Sequence, residues 1–367
     1  MSKRTNRKTG HPVLFGAFFL GLNTALIALV LNKVFHGPSR SARNALTMTL
    51  LEPSATKWIP PLFLGKQMTE QIRSAGIRKA AGIGEMPDGA SEFGREEKVI
   101  SSDIDWSLYS DGIRIEEYKG RTYNAHIMLV KDPSRLYLAL SSYSGFSESL
   151  PGKRLHIMMK EEGASAGINA GAFNDDGTAG PHVGTVPAGL IIHEGKICSD
   201  CNKEMVPEHG FCGFNKEHKL VAASSMSAEE AKQQGIQEGC EFGPVLIRDK
   251  KINSAVYAGN SGYNPRTAIG QRPDGTVILL CVDGRQAGSL GATYKDLTDI
   301  MTAYGACNAV NLDGGSSTAM FYHDENGKYG ERGQIRMISS YSVMQSIPRR
   351  MPTFWMVRPT KGGAYDG

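Results

Sequence analysis

The chain has 367 residues, of which 40% are hydrophobic and 21% are charged, and its formal net charge is +4. This composition is that of a folded protein and excludes a globally disordered chain. The first 43 residues hold seven basic side chains and no acidic ones, so the remainder is slightly acidic, which argues against a nucleic-acid-binding protein.

An uncharged apolar run occupies residues 12–31 and follows four basic residues at positions 3–8. About 20 apolar residues are enough to cross a bilayer as a helix, and basic residues before such a span favour a cytoplasmic N-terminus. The alternative is a cleaved signal peptide, whose apolar core usually has about 7–15 residues. The sequence therefore predicts a basic cytoplasmic tail at residues 1–11, a single-pass transmembrane anchor at 12–31, and an extracytoplasmic domain at the cell membrane.

Residues 32–99 are predicted to form a juxtamembrane stem and linker, because glycine and glutamate are frequent over residues 82–98. The main domain is predicted at residues 100–360. Its first half contains segments with β-type alternation or apolar character, at residues 113–118, 123–130, 135–140, 166–169 and 188–193.

The last third of the chain predicts a β-α-β unit. Residues 277–282 are continuously apolar, as in a strand buried on both faces. Thr293 and Asp296 resemble a capping box at a helix start, and a second apolar strand is predicted at residues 308–312. Such a crossover places its two strands parallel. The predicted fold class is therefore α+β, a mixed sheet with a β-α-β unit and flanking helices, preceded by one N-terminal transmembrane helix.

Two carboxylates, Asp283 and Asp313, directly follow the predicted strands of this unit, so both are expected at one edge of the sheet. Paired carboxylates are the usual catalytic groups for glycoside cleavage, although Asp-Gly is also a common turn dipeptide. Backbone N–H groups and hydroxyls that suit a phosphate oxygen follow Asp313 at Gly314, Gly315, Ser316 and Ser317.

Two arginines, Arg266 and Arg285, are candidate phosphate clamps, because a guanidinium group can bind two oxygens at once. The alternative for each is a solvated surface side chain. Asn169 and Asn174 follow another predicted strand and are candidates either for binding sugar hydroxyls or for capping the loop. His182, in the same loop, is a lone histidine without a predicted role.

Four of the six cysteines lie between residues 198 and 240. Outside the cytoplasm they are expected to form disulfides or to stay as idle thiols. The spacing of Cys198 and Cys201, with His209 and Cys212 behind them, also resembles a zinc loop, but a second matched pair is missing. No cofactor is predicted, and a divalent metal with unknown ligands is left open.

Four blocks, at residues 169–174, 264–270, 283–285 and 311–318, resemble in the same order the signature of the phosphodiester glycosidase domain family. The resemblance runs from about residue 100 to 357. It implies hydrolysis of a sugar-1-phosphodiester, with Asp313 and Asp283 as catalytic residues and Thr267 among the substrate-binding ones. Ala170 stands where the family usually has glycine, and its methyl group is expected to narrow the pocket.

The predicted function is that of a membrane-anchored extracytoplasmic hydrolase that acts on sugar phosphodiesters of envelope or exopolysaccharide glycans. Two alternatives belong to other classes. One is a non-catalytic envelope protein that binds carbohydrate or phosphate polymers, and the other is a glycosyl transferase that uses the same cleft.

Overall fold

The computed structural model describes residues 12–51, 56–80, 103–175, 183–206, 209–259, 261–325, 327–329, 331–341 and 347–360. The chain divides into two compact units, Met1–Ile72 and Arg73–Gly367. The predicted linker at residues 82–98 and His182 lie outside the described residues. The boundaries drawn for the stem and for the catalytic domain stay predictions.

Three helices come first in the chain, α1 (Pro12–Phe35), α2 (Arg40–Leu51) and α3 (Ile59–Ala80). Within the described ranges of the chain, no helix combines the length and the apolar character that a bilayer crossing requires. This finding contradicts the transmembrane helix that the predicted fold class placed at residues 12–31. A helix does form there, and it extends to Phe35 with Lys33 in its last turn.

The second unit consists mostly of β-strands. Its strands are β1 (Ile113–Lys119), β2 (Asn124–Val130), β3 (Leu136–Leu140), β4 (Ala166–Asn169), β5 (Gly189–His193), β6 (Lys196–Cys201), β7 (Phe211–Asn215), β8 (Leu220–Ala223), β9 (Ile236–Glu241), β10 (Val245–Arg248), β11 (Lys251–Ile252), β12 (Arg266–Gln271), β13 (Val277–Val282), β14 (Asn308–Leu312), β15 (Met320–Asp324), β16 (Gln334–Met337) and β17 (Thr353–Val357). Its helices are α4 (Leu155–Glu162), α5 (Ala228–Gln233), α6 (Ser254–Ala258) and α7 (Tyr294–Ala303).

These strands form three sheets. The first has seven strands in the order β1-β2-β13-β12-β14-β10-β11, the second has five in the order β16-β15-β4-β17-β3, and the third has five in the order β6-β5-β9-β7-β8. Every strand pairing resolved in the described part of the chain is antiparallel.

The predicted single mixed sheet is therefore wrong. β13 and β14 do run in the same direction, but each of them pairs antiparallel with β12, which lies between them. The connection from β13 through α7 to β14 therefore crosses over β12, which already pairs with β13 in a hairpin. One consequence of the prediction remains, since strands of equal direction end at the same edge. Asp283 and Asp313 therefore lie at one edge of the first sheet.

The first sheet is covered on both faces. Because side chains of a strand alternate between the two faces, Ile127 packs on one face with Leu297 of α7, while Met128 packs on the other with Trp355 of the second sheet. This double coverage accounts for the unbroken apolar sequence of β13, in which all six residues are fully buried. A core of this kind fixes the strand ends, where the polar residues gather.

Candidate active site

Asn169, the last residue of β4, joins three segments at this edge through its side-chain amide. Its Oδ1 accepts hydrogen bonds from Thr267 Oγ1 at 2.8 Å and from the Ala319 backbone N–H at 3.1 Å. Its Nδ2 donates to the Asp313 carbonyl oxygen. Asn169 and Thr267 are both fully buried. The two predicted substrate-binding residues thus contact each other and position the chain around Asp313.

Asp313 follows β14 and is half-buried. Its backbone N–H donates to the Ala170 carbonyl at 3.0 Å, and its Oδ1 accepts from the Gly314 N–H at 2.8 Å. The carboxylate is therefore held in a defined orientation by its own turn, in a residue that is only half-buried. This combination suits a group that acts on a bound molecule.

Most backbone N–H groups of the loop after Asp313 donate hydrogen bonds to other groups of the protein. It forms a single 3₁₀ turn, Gly315–Ser317. The Gly314 N–H bonds Asp313, the Gly315 N–H donates to the Pro265 carbonyl at 2.8 Å, and the Ser317 N–H donates to the Gly314 carbonyl at 3.1 Å. The arrangement differs from the predicted cluster of open amide donors. Any anion at this loop must be held mainly by side chains.

Asp283 is 3% exposed, and both of its carboxylate oxygens have protein partners. His126 Nε2 donates to Oδ2 at 2.9 Å, and the Ser340 backbone N–H donates to Oδ1 at 2.7 Å. His126 lies far away in the chain on β2, so no motif of the sequence indicates it as a partner of Asp283. The catalytic role of Asp283 stays a prediction, and its burial favours a structural role at the end of β13.

Arg266 lies on the opposite face of β12 from Thr267, as alternation requires. Its Nη2 donates to the Gly262 carbonyl at 3.0 Å and its Nε to the Ala292 carbonyl at 3.3 Å. The guanidinium carbon lies 4.2 Å from the centroid of the Tyr294 ring. Arg266 is 4% exposed. These contacts hold two loops to the start of α7, and they favour a structural arginine over the predicted phosphate clamp.

Arg285 lies against the 313–317 loop. Its Nη2 donates to Asn264 Oδ1 at 3.1 Å and would lie only 3.3 Å from a Cβ placed on Gly315. A glycine is needed there both for this close approach and for its φ of 62°. Arg285 itself has a φ of 56°, a conformation that is uncommon for residues other than glycine and that often marks functional sites.

Arg349 is the second arginine at this loop, and sequence reasoning missed it. Its Nη1 donates to Ser316 Oγ at 2.9 Å, it forms an ion pair with Asp175, and its guanidinium lies 5.1 Å from the centroid of the Phe173 ring. Burial lowers the pKa of Arg349 to about 10, so the side chain stays charged at neutral pH. Arg349 and Asp175 thus connect the 313–317 loop with the loop after β4.

Asn174 belongs to that second loop. Its backbone N–H donates to the Val186 carbonyl at 2.7 Å, and its carbonyl accepts from the Thr185 N–H at 3.1 Å. Asn174 is half-buried beside Phe173 and Asp175. The structure therefore brings Asn174, Arg349 and the loop after Asp313 to the same region. The backbone of Arg266 also lies beside Gly314, but its guanidinium group bonds the Gly262 and Ala292 carbonyls.

Several buried polar atoms in these segments have no hydrogen-bond partner in the part of the chain that the structure describes. Among them are Asn264 Nδ2, Ser317 Oγ and Thr318 Oγ1. A buried polar group without a partner costs about 1–3 kcal/mol, and a native protein keeps such a group for a reason. Their presence beside Arg285 and Asp313 favours a site that receives a polar molecule.

The described residues contain no group of three or more His, Cys, Asp or Glu side chains placed to hold a metal ion. All six cysteines are free thiols, with Cys198 and Cys201 exposed and Cys212 and Cys240 buried. The last two face each other across β7 and β9 with their sulfur atoms 3.7 Å apart, well beyond the disulfide bond length of about 2.05 Å.

The model of the phosphodiester glycosidase family matches residues 162–358, more than half of the chain. A solved structure with a similar fold is the catalytic domain of zebrafish N-acetylglucosamine-1-phosphodiester alpha-N-acetylglucosaminidase, auto-inhibited by its pro-peptide. Its TM-score is 0.52 at 20% identity, and the similarity covers 67% of this chain and 82% of that one.

A curated relative is the SPbeta prophage-derived uncharacterized protein YomE of Bacillus subtilis strain 168. It is 30% identical to this chain over 166 residues, which are 44% of this chain. The chain spans about a quarter (24%) of the length of that relative.

Proposed function

This chain belongs to the phosphodiester glycosidase family, and we propose that it hydrolyses a sugar-1-phosphodiester. The main supporting observation is that Arg285 and Arg349 both lie against the loop directly after Asp313. Two guanidinium groups beside a carboxylate suit a substrate whose anomeric carbon is bonded to a phosphate. The two arginines would bind the phosphate, and Asp313 would then lie next to the anomeric carbon.

In the proposed reaction, water attacks the anomeric carbon and the bond between that carbon and the phosphate oxygen breaks. The electron pair of the bond goes to the phosphate, so the products are a free sugar and a phosphomonoester. Arg285 and Arg349 neutralise the charge that develops on the leaving oxygen. Asp313 acts at the anomeric carbon, where a carboxylate stabilises positive charge or accepts the proton of the water.

The other predicted site residues receive supporting roles in this proposal. Asn169 and Thr267 fix the backbone of Asp313, and Asp283 closes the end of β13 with His126. The second clamp of the phosphate is Arg349 instead of Arg266, because Arg266 is committed to two backbone carbonyls.

Phosphodiester-linked sugars of envelope or exopolysaccharide glycans are the natural substrates that we propose. The location of the domain outside the cytoplasm stays a prediction. A transferase that passes the sugar to an alcohol would use the same cleft, and product analysis with and without an acceptor alcohol separates it from a hydrolase.

The test compares two substrates with the same sugar, an N-acetylglucosamine-1-phosphodiester and a charge-neutral p-nitrophenyl glycoside. The Arg349→Lys variant keeps the charge but loses the planar fork that can bind two phosphate oxygens. We expect its kcat/KM to fall by roughly 10-fold or more for the phosphodiester, which corresponds to about 1.4 kcal/mol, and to change little for the neutral glycoside.

Arg350→Lys is the matched control, because Arg350 is the next residue and bonds only the Gly152 carbonyl among the contacts resolved for its side chain. It should leave both substrates unaffected. Equal losses on both substrates in Arg349→Lys would assign Arg349 to the fold. Tight binding of the phosphodiester without any turnover by the wild type would overturn the hydrolase and favour a non-catalytic binding protein.

A further inference from the structure

A pocket of about 510 Å³ lies between α4 and the outer strands of the second sheet. Its walls include Ile157 of α4, Phe321 of β15, Ile335 and Met337 of β16, and Pro348. A pocket of this volume is large enough for a small organic group, since ligand sites usually have about 300–1,000 Å³. The roles proposed above for the site residues leave it unused.

The lining of this pocket is predominantly apolar, and its polar groups are neutral or peripheral. Tyr341 contributes a buried hydroxyl that has no hydrogen-bond partner in the described part of the chain, and burial raises the pKa of this hydroxyl, so it stays protonated. Burial and the charge of Arg154 lower the pKa of His156, which is therefore uncharged at neutral pH. Lys160 is exposed at the rim.

A sugar ring does not fit this lining well, because its hydroxyls would lose water and find few partners. A hydrocarbon or aryl group does fit, because it would remove apolar side chains of the walls from water, which is favourable. These side chains are Ile157, Phe321, Ile335 and Met337. The chemistry of the walls therefore selects an apolar group with one hydrogen-bonding position near Tyr341.

Three connections place the pocket next to the candidate active site. Pro348 in its wall precedes Arg349, and consecutive Cα atoms are only about 3.8 Å apart. Phe173, which lies under the Arg349 guanidinium, packs on the same apolar cluster as Ile335 and Met337.

The third connection is on the other side of the site. The Tyr341 carbonyl accepts a hydrogen bond at 2.8 Å from the side chain of Gln286, the neighbour of Arg285. The neighbour of Arg349, Pro348, therefore lines the pocket, and the neighbour of Arg285, Gln286, bonds a residue that lines it. A molecule whose phosphate is held by the arginines could extend its remaining part into this space.

We propose that this pocket binds the aglycone of the phosphodiester and that the aglycone is an apolar alcohol, alkyl or aryl. Among the envelope substrates proposed above, this selects sugar phosphodiesters of an apolar alcohol over those in which the phosphate joins two sugars. The assignment rests on the proposed function for the identity of the phosphate-bearing substrate. The sugar then lies at Asp313, the phosphate at Arg285 and Arg349, and the apolar group beyond Pro348.

The experiment uses the full chain and two N-acetylglucosamine-1-phosphodiesters that differ only in the alcohol, methyl or hexyl. The hexyl ester should have the lower KM, and the Ile157→Gln variant should raise the KM of the hexyl ester by about 5-fold while leaving that of the methyl ester unchanged. Ile157 is 40% exposed, so the fold should tolerate this change. The matched control is Ile197→Gln, another exposed isoleucine, which lies on β6 outside the pocket.

Binding of hexyl phosphate and methyl phosphate by calorimetry separates this inference from the proposed function. Hexyl phosphate should bind more tightly to the wild type, and Ile157→Gln should remove the difference even if no ester is hydrolysed. Turnover of both esters with equal KM, together with equal binding of both phosphates, would overturn the apolar-aglycone assignment while leaving the hydrolase in place. Absence of both turnover and hexyl phosphate binding would overturn both.

Discussion

At the scale of single residues, the surroundings of an arginine decide what its loss should do. Arg266 bonds two backbone carbonyls and stacks on Tyr294, whereas Arg349 bonds the hydroxyl of Ser316 and is 18% exposed in its side chain. The first contacts are internal to the fold. The second lie at the candidate site, so the two side chains should affect stability and substrate choice differently.

The Arg266→Lys variant should therefore lose stability without changing substrate preference. A lysine cannot reach both carbonyls in a fixed plane or stack on the ring in the same way, and we expect the free energy of unfolding to fall by about 2 kcal/mol. Chemical denaturation measures this loss. The ratio of kcat/KM between the phosphodiester and the neutral glycoside should stay at its wild-type value; a selective loss of phosphodiester turnover would restore Arg266 as a phosphate clamp.

Asp313→Asn tests the proposed catalytic carboxylate. Asparagine is nearly isosteric and keeps the oxygen that accepts from the Gly314 N–H, so the turn and the melting temperature should survive. The negative charge disappears, and kcat for the phosphodiester should fall by roughly 10²-fold or more, as for loss of a positioned acid–base group. Substrate binding should persist. A folded variant with normal turnover would show that the reaction takes place elsewhere.

The sequence predicted Asp313 and Arg285 at this site because both lie in strand-end motifs, whose position follows from local pattern. It missed Arg349 and His126, since they reach the site only through tertiary packing. Arg349 lies more than thirty residues after the motif that it contacts, and nothing in its local sequence distinguishes it from Arg350. Asn169 was correctly predicted at a strand end. Its hydrogen bonds to Thr267 and Asp313 could not be predicted, because these partners are distant in the sequence.

At the scale of secondary-structure elements, the side chain of Glu238 joins two of the sheets. Glu238 of β9 accepts hydrogen bonds at 3.0 Å from His193 of β5, in the third sheet, and from the Leu138 N–H of β3, in the second. Burial lowers the pKa of His193, but the hydrogen bond to Glu238 and the charge of Glu238 outweigh it, so the pKa of His193 is raised above 6.5.

This shift has a definite sign for stability. The folded state holds the His193 proton more tightly than the unfolded state does, so the contribution is fully present below pH 6.5 and is lost as pH rises through the folded pKa. His193→Gln, which keeps a neutral hydrogen bond, should be less stable than the wild type by on the order of 1 kcal/mol at pH 5.5 and nearly equal to it at pH 9. Urea denaturation at the two pH values measures the free energy of unfolding of both proteins. A difference between them that does not change with pH would show that the ion pair of His193 and Glu238 does not stabilise the fold.

Strand positions were predictable from local pattern, but strand neighbours were not. The apolar run of β13 and the capping box of α7 were read from the sequence, and the structure places strand and helix there. The sequence could not show that β12 lies between β13 and β14, because pairing depends on which edge of the hairpin the returning strand meets. The same limit explains why one predicted mixed sheet became three antiparallel ones.

At the scale of the whole molecule, the apolar cores show which residues must fold together. The apolar clusters resolved in the described residues, including their partly buried members, contain residues only from Ile104 to Val357. The segment matched by the family, residues 162–358, is shorter than this. It omits β2, which pairs with β13 over six positions, and β3, which pairs with β17 over five.

A fragment of residues 100–360 should therefore fold and act on its own, whereas residues 162–358 should not. The longer fragment keeps every strand of the three sheets, and we expect a cooperative thermal transition and a kcat/KM equal to that of the full chain. The shorter one exposes the paired edges of β13 and β17 and the apolar faces that β2 and β3 cover, which favours aggregation. Circular dichroism melts and size-exclusion chromatography compare the two fragments with the full chain. A cooperative transition in the shorter fragment would show that β1 to β3 are dispensable, and failure of the longer one, with the full chain intact, would show that the domain depends on residues before position 100.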